Sequence, residues 1–134
     1  MSIKCTKLYV AIFFLAIASL AGFAQGPAKG KLDPDRDPLL EVQAKHNLEV
    51  ARWSITKRKA YKGGLDRLQE IIETYPTFSR MDEVVYWMGE ANFKLNEFEK
   101  AGEFYNKLLK AYPESEFVKK SQEQLEKIKS GNRL

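Results

Sequence analysis

The 134-residue chain has little cysteine or histidine, with one of each. Cys5 lies within the apolar N-terminal run, so the remainder has no disulfide, no thiolate nucleophile and no cysteine ligand. His46 has no second histidine with which to share an ion, so no metal site is expected. No nucleophile, base and orienting group occur together, so the sequence predicts neither an enzyme nor a cofactor.

The chain also lacks a large excess of charge of either sign. The 22 Lys and Arg residues against 18 Asp and Glu residues leave a formal net charge of +4. This excess is too small for a dedicated nucleic-acid binder, so nucleic acid is not an expected partner. With 44% hydrophobic and 30% charged residues, the composition is that of one ordinary globular domain.

The N-terminal segment has the layout of a secretory signal peptide. Two lysines precede an apolar run over residues 8–23, and Gly22 and Ala24 are the small residues before a possible cut ahead of Gln25. We therefore predict a signal peptide over residues 1–24 and an exported, periplasmic protein that could associate with the outer membrane. The alternative is an uncleaved anchor, although the strongly apolar part is shorter than the roughly 20 residues of a spanning helix.

Proline is concentrated before the helical part of the chain. Three of the five prolines lie in residues 25–38, which predicts a flexible linker there. Asp37 followed by Pro38 makes a good helix start, because the carboxylate accepts free backbone amides. Beyond it, apolar residues recur every three or four positions in five stretches, which predicts an all-α domain over residues 39–129 and a short tail over 130–134.

The predicted helices repeat in pairs. The segment Ile-Ile-Glu-Thr-Tyr-Pro at 71–76 returns as Leu-Leu-Lys-Ala-Tyr-Pro at 108–113, an offset of 37 residues. A fixed offset of this size is typical of helical solenoids, in which each pair buries its apolar face on the next. We predict a short α-solenoid of two helix hairpins and a C-terminal capping helix.

The second pair resembles the tetratricopeptide repeat (TPR). Gly89 and Ala101 fall at the two small-residue positions where the helices of a pair cross closely, and Pro113 ends the second helix. In the first pair Gly64 and Pro76 fit the pattern, although Arg52 occupies the first small position. We expect alanine to serve as well as glycine at position 64.

The exported leader, the Tyr-Pro helix ends and the 37-residue spacing together resemble the BamD-type TPR proteins of the bacterial outer-membrane assembly machinery, over roughly residues 39–128. The resemblance implies a non-catalytic scaffold that helps barrel proteins fold and binds an envelope protein or a peptide segment. Phe23 stands in place of the family's lipidated cysteine, and about two and a half repeats replace about five. A smaller relative, associated with the membrane indirectly or through an uncleaved leader, fits these departures.

In TPR arrays the first helix of each pair lines the concave face, so the resemblance places a partner-binding groove there. The candidate groove residues are His46, Glu49, Trp53 and Lys57 from the first helix, and Tyr86, Glu90, Phe93 and Lys94 from the third. Aromatic rings among charges suit peptide recognition. The alternative is that the rings of Trp53, Tyr86 and Phe93 pack between helices.

Two further questions stay open at this level. The cations Lys57, Arg58, Lys59 and Lys62 could attract phosphates or anionic head groups, or simply complement the carbonyls at a helix C-terminus. A second class of function is a self-assembling structural protein whose solenoid ends stack on one another, which makes oligomers possible.

Overall fold

The computed structural model describes residues 37–131. The predicted signal peptide, the linker up to residue 36 and residues 132–134 lie outside this part. Within it, α-helices follow one another without a strand, and the all-α prediction is confirmed. The helices are α1 (Pro38–Thr56), α2 (Tyr61–Thr74), α3 (Met81–Lys94), α4 (Phe98–Ala111) and α5 (Val118–Lys129).

The first helix begins where the sequence predicted. Asp37 is the N-cap, and its Oδ1 accepts a hydrogen bond from the Leu39 N–H at 2.8 Å, with Pro38 as the first helical residue. The apolar stripe of α1 is buried from Ala44 to Ile55. The cap thus satisfies one of the backbone amides left free at the start of the helix.

Each helix packs against the next one along the chain, and α1 also touches α3. Two cores result, one among α1, α2 and α3 and the other among α3, α4 and α5. Helix α3 contributes to both, since Val84 is buried in the first core and Val85 in the second. This sequential packing is that of a short TPR-like α-solenoid, as predicted.

The backbone repeats with the offset seen in the sequence. Helices α2 and α4 have 14 residues each and begin 37 positions apart. The turns before them contain Lys59 and Asn96, both left-handed, with φ of 56° and 62°. After them, Tyr75 and Tyr112 occupy the same C-cap position, each directly followed by a proline, Pro76 or Pro113. The two hairpins are therefore copies of one unit.

Helix α1 departs from this symmetry at its start. The first residue of α3, Met81, corresponds to Ala44, so α1 begins six residues early. The additional residues are held by the turn after α2, because the Glu41 carboxylate accepts hydrogen bonds from the Ser79 N–H and hydroxyl. Their outward side carries three exposed apolar side chains, those of Leu39, Leu40 and Val42.

The small residues lie at the helix crossings. A Cβ on Gly89 would lie 2.5 Å from Tyr105 Cε1, and Ala101 is fully buried. At Gly64, a Cβ would lie 2.5 Å from Ile55 Cγ1. The expectation that alanine serves equally well at position 64 is therefore wrong, because Ile55 Cγ1 belongs to a branched, buried side chain that has little room to move.

Candidate functional site

Helix α1 presents a row of exposed side chains. His46, Glu49, Trp53 and Lys57 are all exposed, and 53% of the Trp53 surface is accessible. Their spacing of three, four and four residues places them along one side of the helix. We refer to these four residues as the α1 row. It brings together one large ring, an imidazole and charges of both signs, a combination suited to recognising a peptide.

The two aromatic candidates on α3 are buried, contrary to the prediction of a ring-lined groove. Tyr86 is 8% exposed and Phe93 is 3% exposed. Tyr86 stacks on Phe117 with 4.7 Å between ring centroids, and Phe93 meets Phe98 edge-on at 5.3 Å. These two rings are core residues, because α4 and the start of α5 cover α3 on this side.

Glu90 is also engaged within the fold. Its Oε1 accepts hydrogen bonds from the Tyr105 hydroxyl at 2.7 Å and from Gln124 Nε2 at 2.9 Å. Burial raises the pKa of Tyr105, and the negative charge of Glu90 raises it further. The pKa of Tyr86 is raised for the same two reasons. The Glu90 carboxylate thus joins α3 to α4 and α5, while Lys94 alone of the α3 candidates is fully exposed.

A charged cluster that was not predicted lies beside the α1 row. Glu83 is 3% exposed and is paired with Arg52 at 3.2 Å and with Arg80. The Trp87 Nε1–H donates to Glu83 Oε1 at 3.2 Å, and the Arg52 guanidinium lies 5.7 Å from the Trp87 ring centroid. We call these four residues the Glu83 cluster. It ties α1 to α3 across the two hairpins.

The sequence contained one signal for this cluster. Arg52 stands where a TPR has a small residue, and a long cation there must extend out of the crossing between helices. Glu83 lies in the first turn of α3. Its carboxylate is buried because Arg52 and Arg80 satisfy both of its oxygens.

The described residues offer no metal-binding group of three or more His, Cys, Asp or Glu side chains. None of the helices between residues 37 and 131 is long and apolar enough to cross a membrane. The arrangement consists of helix-borne charges and one exposed ring, which suits binding by surface contact.

A family model for the tetratricopeptide repeat matches residues 83–115. Residues 83–115 form a tetratricopeptide repeat. The match spans α3 from its third residue, α4 and the turn that follows, so it covers the second hairpin of this TPR-like solenoid. No curated protein and no solved structure matches the chain.

Proposed function

We propose that this protein is an exported, non-enzymatic scaffold of the bacterial cell envelope that binds a segment of another envelope protein along the α1 row. The tetratricopeptide repeat supports a role in protein–protein interaction. The observation that carries the location is the exposed Trp53 ring, flanked on the same side of α1 by Glu49 and Lys57.

The α1 row suits an extended or helical segment that brings its own apolar side chain. A half-exposed indole offers a large rigid contact area at a small cost in side-chain entropy. Glu49 and Lys57, one turn before and one turn after Trp53, have opposite charges and would orient a segment along the helix. We propose the outer-membrane assembly machinery as the source of this segment, on the strength of the BamD-type resemblance alone.

Photo-crosslinking in intact cells tests this proposal. A photoreactive amino acid at position 49 or 53 should give a discrete adduct with an envelope protein, while the same group at Gln69 on the exposed side of α2 should give none. Mass spectrometry of the adduct identifies the partner. Equal adducts at all three positions would overturn the assignment to the α1 row, and a partner outside the outer-membrane machinery would overturn that part of it.

Paired variants give a second test. Trp53→Ala combined with Glu49→Lys should abolish the adduct formed from a probe at His46 and leave the thermal unfolding midpoint unchanged. Asp66→Lys, a matched change of charge at an exposed site on α2, should leave the adduct intact. Tyr86 is unsuited to such a test because its removal would disturb the core.

One observation favours a second candidate function, self-assembly. The early start of α1 exposes Leu39, Leu40 and Val42, and 66% of the Val42 surface is accessible. An apolar end of this kind could stack on another copy of the chain. Sedimentation over a range of concentrations tests this: a monomer throughout excludes it, and an oligomer that Leu39→Glu with Val42→Glu dissociates supports it.

A further inference from the structure

The turn between α1 and α2 carries a cluster of basic side chains that form no ion pairs with described residues. Four cations stand within six residues, and residues 57–62 contain no acid. All four side chains are exposed, and none forms an ion pair with a described residue. The basic turn, as we call it, consists of Lys57, Arg58, Lys59 and Lys62. Its charge equals the formal net charge of the whole chain, +4.

An exposed indole lies next to these cations. The Arg58 guanidinium carbon lies 5.4 Å from the centroid of the Trp53 ring. Tryptophan is enriched at the interface between water and lipid, because its ring is apolar and its N–H is polar. Trp53 and the basic turn therefore combine an interfacial ring with charge of one sign.

The second hairpin provides an internal comparison. Its turn has the same left-handed residue, Asn96 in place of Lys59. At the 37-residue offset, Leu95 replaces Arg58, Glu99 replaces Lys62 and Glu90 replaces Trp53. Lys94 corresponds to Lys57, so one cation at the end of the preceding helix is common to both turns. The second turn forms without the other three, so Arg58, Lys59 and Lys62 need another explanation.

Lys59 strengthens this conclusion. Its φ of 56° lies in the left-handed region, where asparagine is favoured and lysine is uncommon. The chain uses asparagine at the equivalent position, where no charge is presented. Lysine at position 59 thus adopts a backbone conformation that suits asparagine better, and it adds a fourth positive charge to the turn.

We propose that the basic turn and Trp53 form a docking site for a membrane surface rich in anionic phospholipid head groups. Three of the four cations are lysines, which are mobile point charges that suit a fluid layer of phosphates better than one fixed carboxylate. The cations stand within six residues around one helix-to-helix turn, close enough to contact one membrane surface. This site goes beyond the protein-binding role proposed above. It shares Trp53 and Lys57 with the α1 row, but Arg58, Lys59 and Lys62 lie outside that row, so their substitution tests the membrane site alone.

Vesicle binding by the full chain tests the site. We would compare vesicles of phosphatidylcholine with vesicles of equal phosphatidylcholine and phosphatidylglycerol, at low and high salt. Zwitterionic vesicles report the uncharged contributions of the apolar N-terminal run and of the Trp53 ring, which are the same in every variant that keeps Trp53. The wild-type chain should bind the anionic vesicles more tightly, and the difference should disappear at high salt.

The decisive variant borrows residues from the second turn: Arg58→Leu, Lys59→Asn and Lys62→Glu. The difference in affinity between the two kinds of vesicle should fall about 100-fold, since each of the three cations removed contributes about fivefold near an anionic surface. The matched control is Lys107→Glu with Lys110→Glu. It changes the net charge by the same amount at exposed sites near the C-terminal end of α4. It should retain most of the difference. Trp53→Ala should weaken binding without changing its salt dependence.

Several results would overturn the proposal. Unchanged binding by the triple variant at positions 58, 59 and 62 would do so. An equal loss in the Lys107 and Lys110 control would also do so, because it would show that net charge alone determines binding. Binding to poly-glutamate with none to anionic vesicles would assign the turn to an acidic protein instead. If the triple variant unfolds, Arg58→Gln with Lys62→Gln makes the same comparison with a smaller expected loss.

Discussion

Gly89 lies so close to the Tyr105 ring that a Cβ added to it would come within 2.5 Å of Cε1 and 2.8 Å of Cδ1. The ring cannot easily retreat, because it is fully buried and its hydroxyl donates to Glu90 at 2.7 Å. This contact sets the distance between α3 and α4 within the second hairpin.

Gly89→Ala should therefore lower the free energy of unfolding. Overpacking costs about 1–3 kcal/mol, and the better helix propensity of alanine returns up to about 1 kcal/mol, so we expect a net loss of up to about 2 kcal/mol. Urea denaturation measures it. The loss should shrink in a Tyr105→Leu background, where the space is relieved. Equal losses in both backgrounds would contradict the contact as the cause.

The adjacent glycines of α2 should respond in opposite directions. Nothing lies within 4 Å of a Cβ on Gly63, whereas a Cβ on Gly64 meets Ile55 at 2.5 Å. Gly63→Ala should stabilise the protein by about 0.5–1 kcal/mol, because glycine is a poor helix former. Gly64→Ala should destabilise it. Thermal unfolding of the two single variants gives the comparison, and a shift of the same sign in both would show that the close approach of α1 and α2 is unimportant.

The Glu83 cluster should contribute to stability through its buried carboxylate. Glu83→Gln removes the charge that satisfies Arg52 and Arg80, so we expect a loss of about 1–3 kcal/mol in the free energy of unfolding. The control is Glu126→Gln, which breaks an exposed pair with Lys129 and should cost at most about 0.5 kcal/mol. Similar losses in the two variants would show that burial of Glu83 adds nothing to the free energy of unfolding.

Alkaline pH should destabilise the fold through Tyr105. Burial and Glu90 raise the pKa of this hydroxyl above its ordinary value of 10.0. Above that pH the unfolded chain loses the proton while the folded chain keeps it, so stability is fully present below about pH 10 and falls as the pH rises further. One such tyrosine contributes a slope of at most about 1.4 kcal/mol per pH unit.

Denaturation at pH 9 and at pH 11 measures this effect. Tyr105→Phe should be less stable than the wild type at pH 9, because the hydrogen bond to Glu90 is lost. It should lose less additional stability at pH 11. An identical alkaline loss in the wild type and the variant would assign the effect to other groups.

The helices and their pairing could be read from the sequence because they depend on local periodicity and on one repeated offset. Which of the candidate aromatic rings are exposed could not be read from the sequence. Tyr86 and Glu49 are equivalent by the 37-residue offset, yet Glu49 is exposed and Tyr86 stacks on Phe117. The difference comes from position in the array, since α3 has neighbours on both sides whereas no described residue precedes α1 and covers its outer side.

The Glu83 cluster was hidden for a related reason. Arg52 and Glu83 are separated by 31 positions and belong to different hairpins, so no helical spacing connects them. Their contact depends on how one hairpin is placed on the next. Periodicity reports which residues share a side of a helix and carries no information about that placement.

Glu90 has a consequence for how the array comes apart. Within α5 only Ser121 is fully buried, and its Oγ has no hydrogen-bond partner. The apolar side chains of Val118, Leu125 and Ile128 are only partly buried against the second core, and Gln124 donates to Glu90 on α3. We therefore expect α5 to be the first helix to detach when the domain unfolds locally. Its departure would break the hydrogen bond from Gln124 to Glu90 and separate the stacked rings of Tyr86 and Phe117.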